Sequence, residues 1–594
     1  MGKVEKHIQD LAAEGIKQVF SADLPADEIQ VQRTRKEFEG EFTIVVFPIS
    51  QLTNKSPEDT ANLLGEYMVE NSENIEAFNV IKGFLNLKLR SAYWVDRLSK
   101  MLTENRYGFR KRNTKGLVMV EYSSPNTNKP LHLGHLRNIF LGYSVSKILE
   151  AYGHEVKRVQ VINDRGIHIS KSMLAWQKFG YGETPRATSL KGDHFVGKYY
   201  IIFNEKYKEQ VEKLVAKGMS REKAENEAPL MLEAREMLKK WEAKDPQVYR
   251  LWETMNEWVY EGFNRSYERM GVSFDKLYYE SNTWEVGKKI SLEAVDQGIF
   301  YKEADGSVWV DLTDQGLDKK LILRKDGTAV YMTQDIGTAI LRYRDFPAIT
   351  KLVYTVGNEQ DYHFQVLFKI LEKLGHKWAK DCYHLSYGMV ELPDGKMKSR
   401  EGTVVDADEI MESIVNDAYD ITIELGKLEG MQRAEQRKLI EDIGMAALKY
   451  FLLKVDPKKN MLFNPAESID FNGHTGPFIQ YSYARIQSVL RNYGSIPMYF
   501  EEDFEINEHE RAVQLRIYQY PDIIEASATE YNPAILANYI YDLAKDFASF
   551  YQNHSILQAE TENIKEYRAG LAAATGRVIE SGMELMGMTV PNRM

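Results

Sequence analysis

The 594-residue chain has one cysteine, Cys382. No disulfide can form within it, a Cys₄ or Cys₃His zinc knuckle is excluded, and a reducing, cytoplasmic setting fits. Long apolar runs are missing too. Stretches such as 43–47 fall far short of the ~20 residues needed to span a bilayer, so no membrane partner is expected. Basic residues are not in excess: 76 Lys and Arg stand against 87 Asp and Glu, a net charge of −11. This excludes a polybasic coat, although a local basic strip can act within an acidic whole. The opening Met1-Gly2-Lys3-Val4-Glu5-Lys6 lacks the apolar core of a secretory signal. Lys6 stands where a myristoylation signal requires Ser or Thr. What is there is ordinary for a soluble globular chain, 43% apolar and 27% charged. Its length predicts about three to five domains.

Along the first ~110 residues, helical and strand patterns alternate. Ile8, Leu11, Ile16 and Val19 recur at near-helical spacing, and 41–47 and 84–89 read as strands. This predicts an N-terminal α+β domain, ended by the basic stretch Arg110-Lys111-Arg112-Asn113-Thr114-Lys115-Gly116. Residues 117–122 then form an apolar run of the buried parallel-strand kind. A Pro/Asn/His-rich loop follows, then a helix expected over about 136–150 and a strand over 156–162. Strand, helix, strand makes a βαβ unit and a parallel sheet with right-handed crossover. Further strands are expected at 307–312, 321–323, 329–332 and 351–356. A Lys/Glu-rich helical stretch around 190–255 reads as an insertion. From about Gly473 onward the pattern is helical, which predicts an all-α C-terminal domain.

Two loops carry candidate chemistry. The first, after the 117–122 strand, is Ser123-Ser124-Pro125-Asn126-Thr127-Asn128-Lys129-Pro130-Leu131-His132-Leu133-Gly134-His135. Ligands bind open α/β sheets beyond the carboxyl ends of their strands, and a helix N-terminus offers free N–H groups to phosphate. His132 and His135 share a face at such a start and can stabilise charge growing on a phosphoryl group. Gly134 lets a flat base approach the backbone. A surface histidine pair is the plainer reading, and no third metal ligand lies nearby in sequence. The second loop, Gly395-Lys396-Met397-Lys398-Ser399-Arg400-Glu401-Gly402, sets three cations between glycines, suited to clamping a leaving pyrophosphate.

Together these loops resemble the signatures of class I aminoacyl-tRNA synthetases, and within that class the arginyl-tRNA synthetases. The resemblance is carried by 121–138, by Tyr331-Met332-Thr333-Gln334-Asp335-Ile336-Gly337, by 476–486 and by the terminus Val590-Pro591-Asn592-Arg593-Met594. It implies a multidomain α/β fold: an added α+β domain over 1–112 that contacts tRNA, a Rossmann-like catalytic domain over 113–465, and a helical anticodon-binding domain over 466–594. By resemblance, His132, Gly134 and His135 bind ATP and support adenylate formation. Met397, Ser399, Arg400 and His363 join the ATP site, with Lys129, Lys396 and Lys398 as catalytic cations. Glu121, Tyr331 and Asp335 match positions around the substrate guanidinium, Asn126 its α-amino end, and Gln360 a nearby contact. A guanidinium has five fixed donors and stays charged, so carboxylates in fork geometry suit it. Partners implied are L-arginine, ATP with Mg²⁺ as substrate, and tRNA(Arg), with no protein-bound metal, no editing domain and a monomer. tRNA is expected to bind before arginine is activated.

One position departs from the class pattern. The second lysine of Lys-Met-Ser-Lys-Ser is Ser399 here, so Lys129 or Lys398 is expected to supply the missing charge. Tyr481, Arg485 and Arg491 can meet an unstacked anticodon loop, although a helical Tyr is more often core. Two rivals remain at this point: a class I synthetase for another amino acid, and a non-catalytic paralogue that only binds tRNA.

Overall fold

A computed structural model of the chain describes residues 3–35, 37–392, 405–426, 428, 430–501 and 504–594. Its organising element is the strand Leu117–Glu121, buried at every position. An apolar run of this kind is stable only with both faces covered, which requires a parallel sheet with helices on either side. Parallel partners lie along both edges: Glu155–Ile162 on one side and Ile349–Gly357 on the other. Lys276–Tyr279 and Cys382–Tyr387 complete a five-stranded parallel sheet outside these two. In chain order the strands stand 3-2-1-4-5, so the direction of winding reverses between Leu117–Glu121 and Ile349–Gly357.

The helix after the central strand begins at Leu133, three residues before the expected start, and runs to Ala151. It buries apolar residues on most of its circumference, as a helix wedged between layers must. Four helices fill the inserted region, Gly192–Ala216, Arg221–Glu227, Pro229–Glu242 and Pro246–Met270. The last runs well past 255 and returns the chain to the sheet at Lys276.

At the N-terminal end, four antiparallel strands pack with the helices Lys3–Phe20 and Pro57–Glu70. At the C-terminal end, five helices from Gly476 to Leu585 pack around a core of Tyr, Phe, Leu and Ile. The two ends meet. Arg511 Nη1 reaches Glu41 Oε1 at 2.6 Å, and Tyr518 donates to Glu5 Oε2 at 2.9 Å. Among the described residues, no helix is long and apolar enough to cross a membrane.

One strand expectation needs correction. Residues 329–332 do not form a strand: Ala329 makes a single bridge to Leu323, and a helix opens at Tyr331. Thr333 decides the contest, because its hydroxyl accepts the Val330 N–H at 3.2 Å and donates to the Ile322 carbonyl. The strands at Val308–Val310 and Lys320–Leu323 belong to a separate three-stranded antiparallel sheet, not to the parallel one.

Candidate active site

The reversal of winding leaves a crevice beyond Glu121 and Gly357, and the chain is fastened around it. Ser123, just past the central strand, takes a left-handed conformation (φ +74°). Asn138, on the helix that follows, accepts the Ser123 N–H at 2.6 Å and donates to the Thr355 carbonyl at 2.6 Å. One side chain thus ties the helix to both strands that border the crevice. Asn126 and Thr127 lie along the end of the second strand, with Thr127 N–H on the Asn163 carbonyl at 3.0 Å.

His132 sits at the N-cap of the helix in extended conformation. Its backbone N–H donates to His135 Nδ1 at 3.1 Å, which leaves Nε2 of His135 to carry the proton. The two imidazoles are 3.9 Å apart, centroid to centroid. His132 Nδ1 is buried without a hydrogen-bond partner among the described residues. A Cβ on Gly134 would stand 3.1 Å from His132 Cε1, so a side chain there would make that imidazole give by a few tenths of an ångström. Burial, and then the nearby Lys129, push His132 down to about 4. Burial, His132 and Lys129 hold His135 well below its ordinary value. Both rings are therefore neutral near pH 7. Burial also lowers the Lys129 ammonium, which has no ion-pair partner among the described residues. Two neutral donors and one unanswered cation at a helix N-terminus form a receptor for an anion.

The same shifts predict acid sensitivity. Between about pH 4 and 6.5 the unfolded histidines bind protons that the folded ones refuse, so stability falls as pH drops through that window. In His132→Gln the loss of melting temperature between pH 7 and pH 5 should be smaller than in the parent, by thermal denaturation at both pH values.

The opposite wall is acidic. The helix Tyr331–Asp345 opens with Tyr331, 67% exposed, and places Asp335 one turn further on. Asp335 Oδ2 lies 2.6 Å from His363 Nε2, on the helix Asp361–Lys373. Gln360 is exposed in the short turn before that helix. Glu280, at the start of the helix Glu280–Asp296, has its carboxyl pushed well above the ordinary range, first by burial and then by Asp335 and Asp164. Asp164 is itself satisfied, accepting from the Ser281 N–H and hydroxyl and from Tyr260. A cation arriving beside Asp335 and Glu280 would favour the charged carboxylate form of both.

Glu121, expected beside the substrate guanidinium, has its Oε2 2.6 Å from Nη2 of Arg342. Arg342 is fully buried, two turns beyond Asp335 on the same helix face, between the rings of Tyr278 and Tyr354 at 5.4 and 5.3 Å. Glu121 Oε1 accepts from Ser124 at 2.8 Å. The Glu121 carboxylate at the base of the crevice is thus paired with the protein's own guanidinium, whereas the Asp335 side chain is 42% exposed.

The structure brings Lys129, His132, Gly134 and His135 together on one side, and Tyr331, Asp335, Gln360 and His363 on the other. Lys396, Met397, Lys398, Ser399 and Arg400 lie outside the described residues. Val405 and Ala407, which follow them, pair with the histidine turn: Leu133 N–H donates to the Val405 carbonyl at 3.2 Å, and Ala407 N–H to the Leu131 carbonyl at 3.0 Å. Sequence reasoning missed Arg342, Glu280 and Asn138. Only Arg342 left a signal, its seven-residue spacing from Asp335 on a helix. Among the C-terminal candidates, Arg485 stacks between Tyr481 and Tyr551 (4.9 and 5.1 Å), and Arg491 donates to the Asn592 carbonyl at 2.8 Å.

Known proteins resemble this chain over its whole length. Residues 97–464 match the class I tRNA synthetase (R) catalytic domain, and residues 479–594 the DALR anticodon binding domain. The arginine–tRNA ligase of Bacteroides thetaiotaomicron is 53% identical, with 100% of each chain covered. That of Flavobacterium psychrophilum is 51% identical over 98% of each. The Thermus thermophilus arginyl-tRNA synthetase shares the fold at a TM-score of 0.75 and 22% identity, covering 99% of this chain and 100% of that one. The Plasmodium falciparum enzyme does so at 0.74 and 19%, with both chains fully covered. A switch-point crevice with paired histidines on one wall and acids on the other, and identity above one half from end to end, place this chain in the arginyl-tRNA synthetase family of class I aminoacyl-tRNA synthetases.

Proposed function

We propose that this chain joins L-arginine to tRNA(Arg) in two steps. The arginine carboxylate attacks the α-phosphate of MgATP, giving arginyl-adenylate and pyrophosphate. A terminal ribose hydroxyl of tRNA then takes the arginyl group and releases AMP. The observation that carries this reading is the pairing of Lys129, without an ion-pair partner among the described residues, and two neutral imidazoles with the carboxyls of Asp335 and Glu280. His132 and His135 donate to the phosphate as charge moves onto it, and Gly134 keeps the first of them in place. Asp335 takes the guanidinium with Tyr331 beside it. Asn126 and Gln360 hold the α-amino end, and His363 orients Asp335 and borders the nucleotide. Glu121, with one edge on Arg342, retains lone pairs that can accept from the substrate. Lys396, Lys398, Met397, Ser399 and Arg400 act on the triphosphate.

In this reading Mg²⁺ arrives with ATP and no metal is resident. Of the described residues, Asp193, His194 and Asp408 are grouped as metal ligands would be, but the Lys191 ammonium already lies among them. The protein acts as a cytoplasmic monomer, and residues 1–112, 113–465 and 466–594 serve as tRNA-contacting, catalytic and anticodon-binding domains.

The test is ATP–pyrophosphate exchange across a panel of amino acids, with and without tRNA. Exchange is expected with arginine plus tRNA. Exchange with lysine or glutamate moves the assignment to another member of the class, and tRNA binding without exchange moves it to a non-catalytic paralogue. Charge reversal separates the two lysines. Lys129→Glu is expected to slow exchange about a hundredfold, since it turns an attraction for the triphosphate into a repulsion. Should Lys398→Glu have that effect and Lys129→Glu none, the missing charge comes from Lys398.

A further inference from the structure

The histidine turn is held from behind by a charged cluster that no step above uses. Residues 405–407 run antiparallel to it, with Asp406 opposite His132. Asp406 caps the helix Ala407–Glu424, its Oδ1 accepting the N–H groups of Asp408 at 2.8 Å and Glu409 at 3.2 Å. Its Oδ2 turns to the inserted helices and lies 3.2 Å from His194 Nε2. The same nitrogen is 3.2 Å from Asp408 Oδ2. Lys191, just before the helix Gly192–Ala216, contacts Asp408 Oδ2, stands 3.2 Å from Asp193 Oδ2 and donates to Ser266 at 2.6 Å. Ser266 in turn donates to Asp408 Oδ1 at 2.9 Å.

The seat of the cluster is rigid. Asp193 is fully buried, and a Cβ on Gly262 would overlap its carboxylate. A Cβ on Gly192 would overlap the Trp258 carbonyl. The insertion therefore packs backbone against backbone here, and its two cations come to Asp406 and Asp408 from a fixed platform. Burial opposes the charge on His194, but the Asp406 and Asp408 carboxylates 3.2 Å away outweigh it and raise the imidazole to about 10, so it is a cation near pH 7. Asp406 in turn lies close enough to His132 to favour the protonated imidazole.

We propose that His194 and Lys191 are positioning residues for arginine activation: they hold Asp406 and Asp408 from the insertion side and so fix the segment 405–407 against which His132 is set. This rests on the reading of His132 as a phosphate donor. A displacement of an ångström at a reacting group can cost on the order of a hundredfold in rate. Removing His194 leaves Asp406 Oδ2 without its partner and free to draw this segment toward solvent.

The test uses the full-length chain in tRNA-dependent ATP–pyrophosphate exchange. His194→Ala and Lys191→Met are each expected to lower kcat about ten- to a hundredfold, with KM for arginine within about twofold. Lys191→Arg, which keeps the cation, should restore at least about a third of the parent rate. The decisive readout is the double variant. If His194 acts through His132, His194→Ala costs less than about threefold once His132 is already Ala. The proposal is overturned if His194→Ala leaves kcat within about twofold of the parent, or costs the same factor in both backgrounds. A His132→Ala variant with parental rate would instead overturn the underlying reading of the histidine, and this inference with it. If His194→Ala does not fold, His194→Gln, which keeps a donor without the charge, is read by the same criteria.

Discussion

Asp335→Asn is expected to lower kcat/KM for arginine about a thousandfold, measured by tRNA-dependent exchange. The substrate end it faces cannot shed its charge, and bound arginine would cover the Asp335 side chain, 42% exposed in the free protein. Truncating one partner of such a pair costs about 2–5 kcal/mol, and 1.4 kcal/mol is one factor of ten. Glu280 does not replace the lost charge, because its carboxyl is held toward the neutral form by burial. The guanidinium is remote from the α-phosphate, so the same interaction is made in ground and transition states. Most of the loss should therefore fall on KM, and saturating arginine should recover much of kcat. A loss confined to kcat would place Asp335 in the chemistry instead. The His363 contact allows a control: His363→Ala leaves the Asp335 carboxylate in place and should cost about tenfold or less.

His132→Ala is expected to show the opposite partition. Its ring is neutral, buried at a helix N-terminus and set beside Lys129. An N–H donor of that kind is worth most when charge moves onto the phosphate, and removing one preorganised donor costs about 10²–10³ in kcat. KM for arginine should hardly move. His135→Ala removes a ring that also receives the His132 N–H, so it disturbs the cap as well as the phosphate. The double variant should be less impaired than the product of the two single factors, because the rings act as a unit. Single-turnover adenylate formation separates this effect from tRNA transfer.

The parallel core was legible because Leu117–Glu121 is a short apolar run with no polar alternation, a pattern that fits few settings besides a doubly covered strand. The histidine turn was legible for a related reason. A strand, a polar turn and an apolar helix must place that turn at the carboxyl edge of the sheet, whatever else the chain does. Residues 329–332 show where pattern reading fails. Four residues with Val, Tyr and Met suit a strand or the first turn of a helix equally, and the decision fell to one hydroxyl, that of Thr333, meeting Val330 and Ile322.

The acid pocket was half legible. Asp335 stood in a recognisable motif, but Glu121 and Arg342 are joined across more than two hundred residues, and their pairing depends on how a helix lies on the sheet. Glu280 becomes part of the pocket only because the third strand ends beside the second. The His194 and Lys191 cluster was hidden for the same reason: it joins the insertion to the segment after 404, and neither stretch carries a local sign of the other.

In the proposed reaction the Asp335 carboxylate selects a planar cation next to a triphosphate. Citrulline keeps the shape of arginine and the length of its side chain but replaces the guanidinium with a neutral urea. The most direct measurement is the ratio of kcat/KM for arginine over citrulline in tRNA-dependent exchange, in the parent and in Asp335→Asn. A site built to bind a donor rejects analogues lacking the matching group by about 10⁴, so the parent ratio should be at least about 10³ and should collapse to about ten or below in the variant. A parent that activates citrulline within about tenfold of arginine, or a variant that keeps the full ratio, would contradict it.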